Sequence, residues 1–422
     1  PGDLGPGRLS LARRAGATVA VAVLLAAVST ASGDDWPTYR GGACRSGVTA
    51  ESLALPLNEA WVHHASTGPS PAWPESPAKQ DVWHRLTWMN PVLGYDWAFQ
   101  VAAADGRLYF GSSADDTVYC LDAATGETLW SFTTEGPVRL APTVADGCVY
   151  VGSDDGCLYC LQADDGSLRW RHRAGPEDRR LPGNCRMISL WPIRTGAVVE
   201  AGAVYFCAGL FPDQGTYLTA LDARDGKLLW RQPLGISPEG HMLASADQLV
   251  VPAGRTAPQL YQRSDGKDLG SVPGGFASRA GGTFALLAGE WLVHSSGEDG
   301  MLFFADAATR KRAASMSGLR LVVQGSVAYV LGKDRLQAID LPRYLDARRD
   351  GGKTPEQQKR RGELNGKEYV KWDVACKNPF ELIAAGETLF VGGEDRVVAY
   401  RAADGARVWT GVVSGEAHGL AV

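Results

Sequence analysis

The stretch Val118-Tyr-Cys-Leu-Asp-Ala-Ala-Thr-Gly-Glu-Thr-Leu-Trp130 returns as Leu158-Tyr-Cys-Leu-Gln-Ala-Asp-Asp-Gly-Ser-Leu-Arg-Trp170 and again as Leu218-Thr-Ala-Leu-Asp-Ala-Arg-Asp-Gly-Lys-Leu-Leu-Trp230. A last copy runs Val398-Ala-Tyr-Arg-Ala-Ala-Asp-Gly-Ala-Arg-Val-Trp409. A phrase that recurs about every 40 residues marks a repeat architecture. Within one unit, Asp146-Gly147 precedes the run Cys148-Val-Tyr-Val-Gly152, and Asp154-Asp155-Gly156 leads into Cys157-Leu-Tyr-Cys-Leu161. Asp165-Gly166 then opens the run around Trp170, and Leu140-Ala-Pro-Thr-Val144 supplies one more run upstream. Short runs rich in Val, Tyr and Leu, punctuated by Asp-Gly, read as β-hairpins. Four antiparallel strands per unit make the blade of a β-propeller.

The recurring Trp follows the last turn at a fixed offset, on the outermost strand. There it can bury a large planar surface against the neighbouring blade, so it reads as scaffold. Fourth-strand positions fall at Trp61, Trp130, Trp170, Trp230, Gly270, Ala314, Trp372 and Trp409. The expected fold is therefore all-β, an eight-bladed propeller of four-stranded antiparallel blades. Trp61 has no first three strands ahead of it. The closing blade is expected to be incomplete through C-terminal truncation, with Gly419-Leu-Ala-Val422 as its first strand.

With 422 residues and 51 Gly, the chain has the length and turn content of one propeller domain. Its net charge of −5 argues against a general nucleic-acid surface. Arg8, Arg13 and Arg14, an apolar Ala15–Val28 and the small residues Ala31-Ser32-Gly33 resemble a secretory signal. The expected organisation is a signal peptide over 1–33, an N-terminal extension over 34–54 and the propeller over 55–422. The expected location is the periplasm or the extracellular space. The mature chain is expected to be monomeric and to have no membrane span. Cys120 and Cys160 share a repeat column that is filled elsewhere by Ala220, Leu260, Phe304, Ala338 and Ala399, which marks a buried apolar site. Cys157 and Cys160, three apart on a strand, face opposite ways, so the CxxC spacing makes no redox or metal pair. The His residues show no ligand spacing, and neither a metal site nor a catalytic residue is expected.

Three insertions break the period, and such insertions are where function is grafted onto repeats. Residues 66–95 are rich in Pro and Trp, residues 174–197 in Arg, and residues 343–371 in charge. The first two lie between a fourth strand and the next blade's first strand, so they should share one face and partly cap the central channel. The third lies between third and fourth strands, so it should leave from the other face, as a solvated helix or a disordered loop. The candidate ligand-binding set is Arg139, Arg179, Arg180, Asn184, Arg186, Trp191 and Arg194. Guanidinium groups at a channel mouth suit a carboxylate, phosphate or sulfated glycan, unless they pair with nearby acids such as Glu177 and Asp178. Trp73, Trp83, Trp88 and Trp191 are candidate stacking platforms for a carbohydrate.

The phrase Leu-Asp-Ala-x-x-Gly-x-x-x-Trp, at Leu121 to Trp130 and Leu221 to Trp230, resembles the pyrroloquinoline-quinone (PQQ) repeat, most like exported members of planctomycete type. The resemblance implies an eight-bladed propeller from about residue 55 onward. The family includes quinoprotein alcohol and glucose dehydrogenases and also an outer-membrane assembly lipoprotein that binds proteins. The alcohol dehydrogenases use a vicinal Cys-Cys disulfide, Glu and Asn ligands to calcium, and an Asp base. No two Cys are adjacent here, and no acid can be matched to the base. The lipid-attachment Cys is missing as well. The sequence therefore points to a non-catalytic binding or scaffold module for a protein, anionic or glycan ligand, with no cofactor expected. A PQQ- and calcium-dependent alcohol or sugar dehydrogenase is the alternative.

Overall fold

The computed structural model describes residues 20–25, 35–72, 80–81, 86–87, 95–183, 186–253, 256–272, 284–295, 300–348 and 368–422. These form seven four-stranded antiparallel blades, where the repeat count predicted eight. Blades 1 to 6 span residues 101–133, 143–173, 198–234, 243–271, 285–317 and 320–375. Blade 7 takes its three antiparallel strands from residues 381–416 and gains a fourth, Val48–Thr49, which pairs parallel to the inner strand Glu381–Ala385. The difference from eight has a local cause. The copy at Trp61 forms the strand Asn58–His64, but this strand pairs only with Ala20–Leu25, in a two-stranded sheet.

Each blade is built from the turns that the sequence announces. Asp105-Gly106 and Asp146-Gly147 both take positive φ, the geometry of the tight hairpin turn between first and second strands. The turn between third and fourth strands carries the docking surface for the preceding blade. The Trp130 indole donates to the Ala163 carbonyl at 2.9 Å. Trp170 donates to Ala223 at 3.2 Å, Trp372 to Ala402 at 2.9 Å, Trp61 to Ala123 at 3.0 Å and Trp409 to Leu57 at 3.1 Å. Gly166 sits beneath the Trp130 ring at φ +72°, and a Cβ there would lie 2.5 Å from a ring carbon. The Gly of the phrase is thus required twice, by backbone conformation and by contact.

Where the Trp is lost, other groups fill in. At Ala314 the helix α1 (Leu341–Arg348), the first part of the third insertion, buries Leu341, Tyr344 and Leu345 in the cluster that holds Ala314 and Met316. The Tyr344 hydroxyl donates to the Ser315 carbonyl at 2.6 Å. The sequence points to a solvated helix or a disordered loop here; the helix instead packs one side against blades 5 and 6. The rest of that insertion lies outside the described residues.

The centre of the ring is filled by the chain's own N-terminal extension. Trp36 exchanges two backbone hydrogen bonds with Ala103 of blade 1, and the Pro37 carbonyl accepts from Val144 of blade 2. The Ala43 carbonyl accepts from Ala244 of blade 4, Cys44 from Leu287 of blade 5, and Gly47 from Ala384 of blade 7. Arg45, fully buried, donates to the Ala197 carbonyl beside blade 3 at 3.2 Å and to Met242 at 2.9 Å. Arg40 donates to Leu321 of blade 6 at 2.8 Å, to Leu382 of blade 7 at 2.9 Å, and to the Glu381 carboxylate at 2.5 Å. Residues 36–49 thus contact the innermost strands of all seven blades.

Breaking the ion pair inside this hub should be costly, because it leaves one buried charge alone. Arg40→Met is expected to cost about 3–5 kcal/mol in urea unfolding. The double variant Arg40→Met with Glu381→Leu should recover much of that loss. A single-variant cost below about 1 kcal/mol would show that the pair does not hold the hub.

Candidate functional site at the channel mouth

The first two insertions meet on the face opposite the Asp-Gly turns, around the second-to-third-strand turn of blade 2. Ser189 and Ile193 of the second insertion donate their amides to the Asp154 and Ser153 carbonyls. From the first insertion, the Ser70 carbonyl accepts from Arg139 at 2.6 Å, and the Ala72 amide donates to the Asp96 carboxylate at 2.8 Å. The turn therefore anchors the second connection directly, and Arg139 links it to the first over the mouth of the filled channel.

Asp154 is the centre of a buried charge cluster. Arg139 Nε donates to its Oδ2 at 2.7 Å, and Arg194 donates to both carboxylate oxygens at 3.0 Å. Arg139 also reaches Asp96 at 2.9 Å. Burial would raise the Asp154 carboxyl, but Arg194 and Arg139 hold it below the usual carboxylate range. Burial raises Asp96 despite Arg139, the Ala72 amide and Arg194, which all favour its charged form. Beside them lie Tyr95, its phenol pushed well up by burial and then by Glu239, and the buried Glu239 itself. Among the described residues, Tyr95 Oη, Asp96 Oδ1 and Arg139 Nη2 are buried with no hydrogen-bond partner. Beneath the cluster, His241 stacks on Tyr39 of the hub segment, with centroids 3.7 Å apart.

Of the seven candidate residues, the fold brings Arg139 and Arg194 together on Asp154. Arg180 pairs instead with Glu135 and Asp178, and Arg186 with Asp116 and the Ala114 carbonyl. Arg179 is exposed, and its carbonyl accepts from Leu190. Trp191 is buried over Gly175, and its indole donates to the Gln214 carbonyl at 3.0 Å. Asn184, like Trp73, Trp83 and Trp88, lies outside the described residues. Sequence reasoning missed Tyr95, Asp96, Asp154, Glu239 and His241. In sequence Asp154 reads only as a turn residue, and Asp96 sits one residue past the first insertion. Among the described residues, seven Cys are free and no group of three His, Cys, Asp or Glu could hold a metal ion.

Two measurements probe this cluster. Asp154→Asn removes the counter-charge of two buried guanidiniums and is expected to cost about 3–5 kcal/mol in chemical unfolding. His241 has its pKa lowered well below 6.5, by burial and then by Arg45. The unfolded chain therefore binds this proton first, and the contribution of His241 to stability falls as pH drops below 6.5. As pH falls below 6 the parent should lose stability relative to His241→Phe, by at most about 1.4 kcal/mol per pH unit. Parallel stability curves for the two proteins would show that His241 is not buried as the neutral ring.

A family model described as outer membrane protein assembly factor BamB matches residues 75–255. BamB of Yersinia pestis is 27% identical over 176 residues, which is 40% of this chain and 40% of that protein. The dehydrogenase subunit of the quinone alcohol dehydrogenase of Gluconobacter oxydans is 34% identical over 127 residues, 26% of this chain and 16% of that one. The chain thus spans well under half the length of either relative in these matches. The quinohemoprotein alcohol dehydrogenase of Comamonas testosteroni superposes with a TM-score of 0.57 at 14% identity, covering 92% of this chain and 74% of that one; at that identity it speaks to fold alone. Repeat and ring agree that the chain is a β-propeller, and parts of it are similar to BamB and to quinoprotein dehydrogenases.

Proposed function

We propose that this chain is an exported, non-catalytic propeller that holds a protein partner across its channel-mouth face. The observation that carries this reading is the contrast between the channel and its rim. The channel is filled by residues 36–49, whereas Trp97, Met187 and Phe211 stand 38%, 53% and 49% exposed on the loops of the mouth face. Large apolar side chains on exposed loops are the material of protein interfaces. Similarity to an outer membrane assembly factor supports a partner-binding role, and the basic, apolar and small-residue order of residues 8–33 supports export.

The quinone alternative fits the residues less well. Arg139 and Arg194 are each committed to Asp154, so neither is a free counter-charge for an anionic cofactor. An anionic ligand of any kind would find two uncommitted donors there among the described residues, Arg139 Nη2 and the Tyr95 hydroxyl, against the carboxylates of Asp96, Asp154 and Glu239. For the glycan alternative, Trp191 turns its ring into the protein and offers no stacking face.

A photo-crosslinking residue placed at Met187 or Phe211 in cells exporting the protein should give one discrete protein adduct. The same residue at Leu229, exposed on the outer rim of blade 3, should give none. Purified protein mixed with PQQ and calcium should lose the quinone on gel filtration and reduce no dye when an alcohol is added. Stoichiometric quinone retention with alcohol-dependent dye reduction would overturn the non-catalytic reading.

A further inference from the structure

We propose that Ala20–Leu25, the apolar run that also reads as an export leader, is built into the ring as the third strand of a partial eighth position. In blade 1, Cys120 pairs with Trp130, and after a one-residue bulge Leu121 pairs with Thr128. The same step joins Cys160 to Trp170 and Leu161 to Leu168, and Ala220 to Trp230 and Leu221 to Leu228. At the eighth position Val23 pairs with Trp61, and after a one-residue bulge Leu24 pairs with Glu59. Val23 therefore takes the register position of Cys120, Cys160 and Ala220, and Leu24 that of Leu121, Leu161 and Leu221. A slip of one residue would turn every side chain to the other face, so agreement in both pairing and bulge is specific.

Two further contacts place this sheet in the ring rather than beside it. Trp409 of blade 7 docks on Leu57, and Trp61 docks on Ala123 and Gly126 of blade 1, so the indole relay passes through the eighth position. Ala421 packs against the clusters of both blade 7 and blade 1. The position is thus bounded on the inside by the chain's last residues and on the outside by Asn58–His64, with Ala20–Leu25 paired to the latter. This goes beyond the proposed function and does not depend on it. It does carry a consequence for export: cleavage after Gly33 would remove the strand and open the edge of Asn58–His64 to another extended segment.

Hydrogen exchange on the full chain tests this. Residues 58–64 should be protected in the parent. In the double variant Val21→Pro with Val23→Pro, which takes two donors out of the ladder, they should exchange at least about tenfold faster while blade 2 is unchanged. If blade 2 also loosens, a chain beginning at Asp34, which keeps the hub segment, should show the same selective loss at 58–64. Unprotected amides at 58–64 in the parent, or protection that neither change removes, would overturn the proposal.

Discussion

Every innermost strand of a propeller leaves one edge facing the channel, and the structure depends on how those edges are satisfied. Buried backbone donors and acceptors without partners are expensive, and seven strands converge here. Residues 36–49 answer with main-chain carbonyls toward blades 2, 4, 5 and 7 and with two arginines toward blades 3, 4, 6 and 7. Arginine suits this position because its fixed fork presents five donors that one side chain can spread over several carbonyls. Arg40 and Arg45 both adopt left-handed backbone, at φ 56° and 54°, a conformation that persists only where surrounding contacts over-determine it. Burial lowers the Arg45 guanidinium to a pKa of about 10, which still leaves it charged at neutral pH.

The hub acts on the inside of the ring and the indole relay on the outside. Trp61, Trp130, Trp170 and Trp372 each fix their unit to the next through one hydrogen bond and one ring-on-glycine contact, Trp230 through the glycine contact and Trp409 through the hydrogen bond. Where the relay thins, between blades 5 and 6, α1 supplies Tyr344 and Leu345 to the same interface. Stability is therefore spread over two circumferential systems. Loss of the Trp at Gly270 and Ala314 is tolerated because the hub still ties blades 4, 5 and 6 at the centre.

The outer system was legible in the sequence and the inner one was not, for a physical reason. Docking by Trp requires a turn, a Gly and a large ring at fixed spacing, and that spacing repeats along the chain. The hub has no period. Arg40 and Arg45 meet backbone carbonyls, which carry no side-chain identity, so nothing in the partner sequences marks the contact. The same holds at the mouth. Asp154 follows Ser153 in a stretch that reads as a turn, and only the fold brings Arg139 from one connection and Arg194 from the other onto its two oxygens. Arg180 and Arg186 looked equivalent to these in sequence but lie where Glu135 and Asp116 are within reach. The eighth blade was over-counted because one Trp phrase, at Trp61, announces a fourth strand whether or not four strands are assembled there.

The mouth cluster takes its meaning from the hub below it. A guanidinium poised for an external anion should keep its fork free, yet Arg139 and Arg194 spend theirs on Asp154, Asp96 and the Ser70 carbonyl. Those contacts reach from blade 2 into both insertions, so they fix the insertions to the ring. Fixing two long connections matters for a surface that must present Trp97, Met187 and Phe211 in one arrangement, because ordering loops at the moment of binding would cost affinity. Read this way, the buried charges pre-organise the rim, the filled channel gives them a rigid floor through Tyr39 and His241, and the recognition chemistry lies on the exposed loops above.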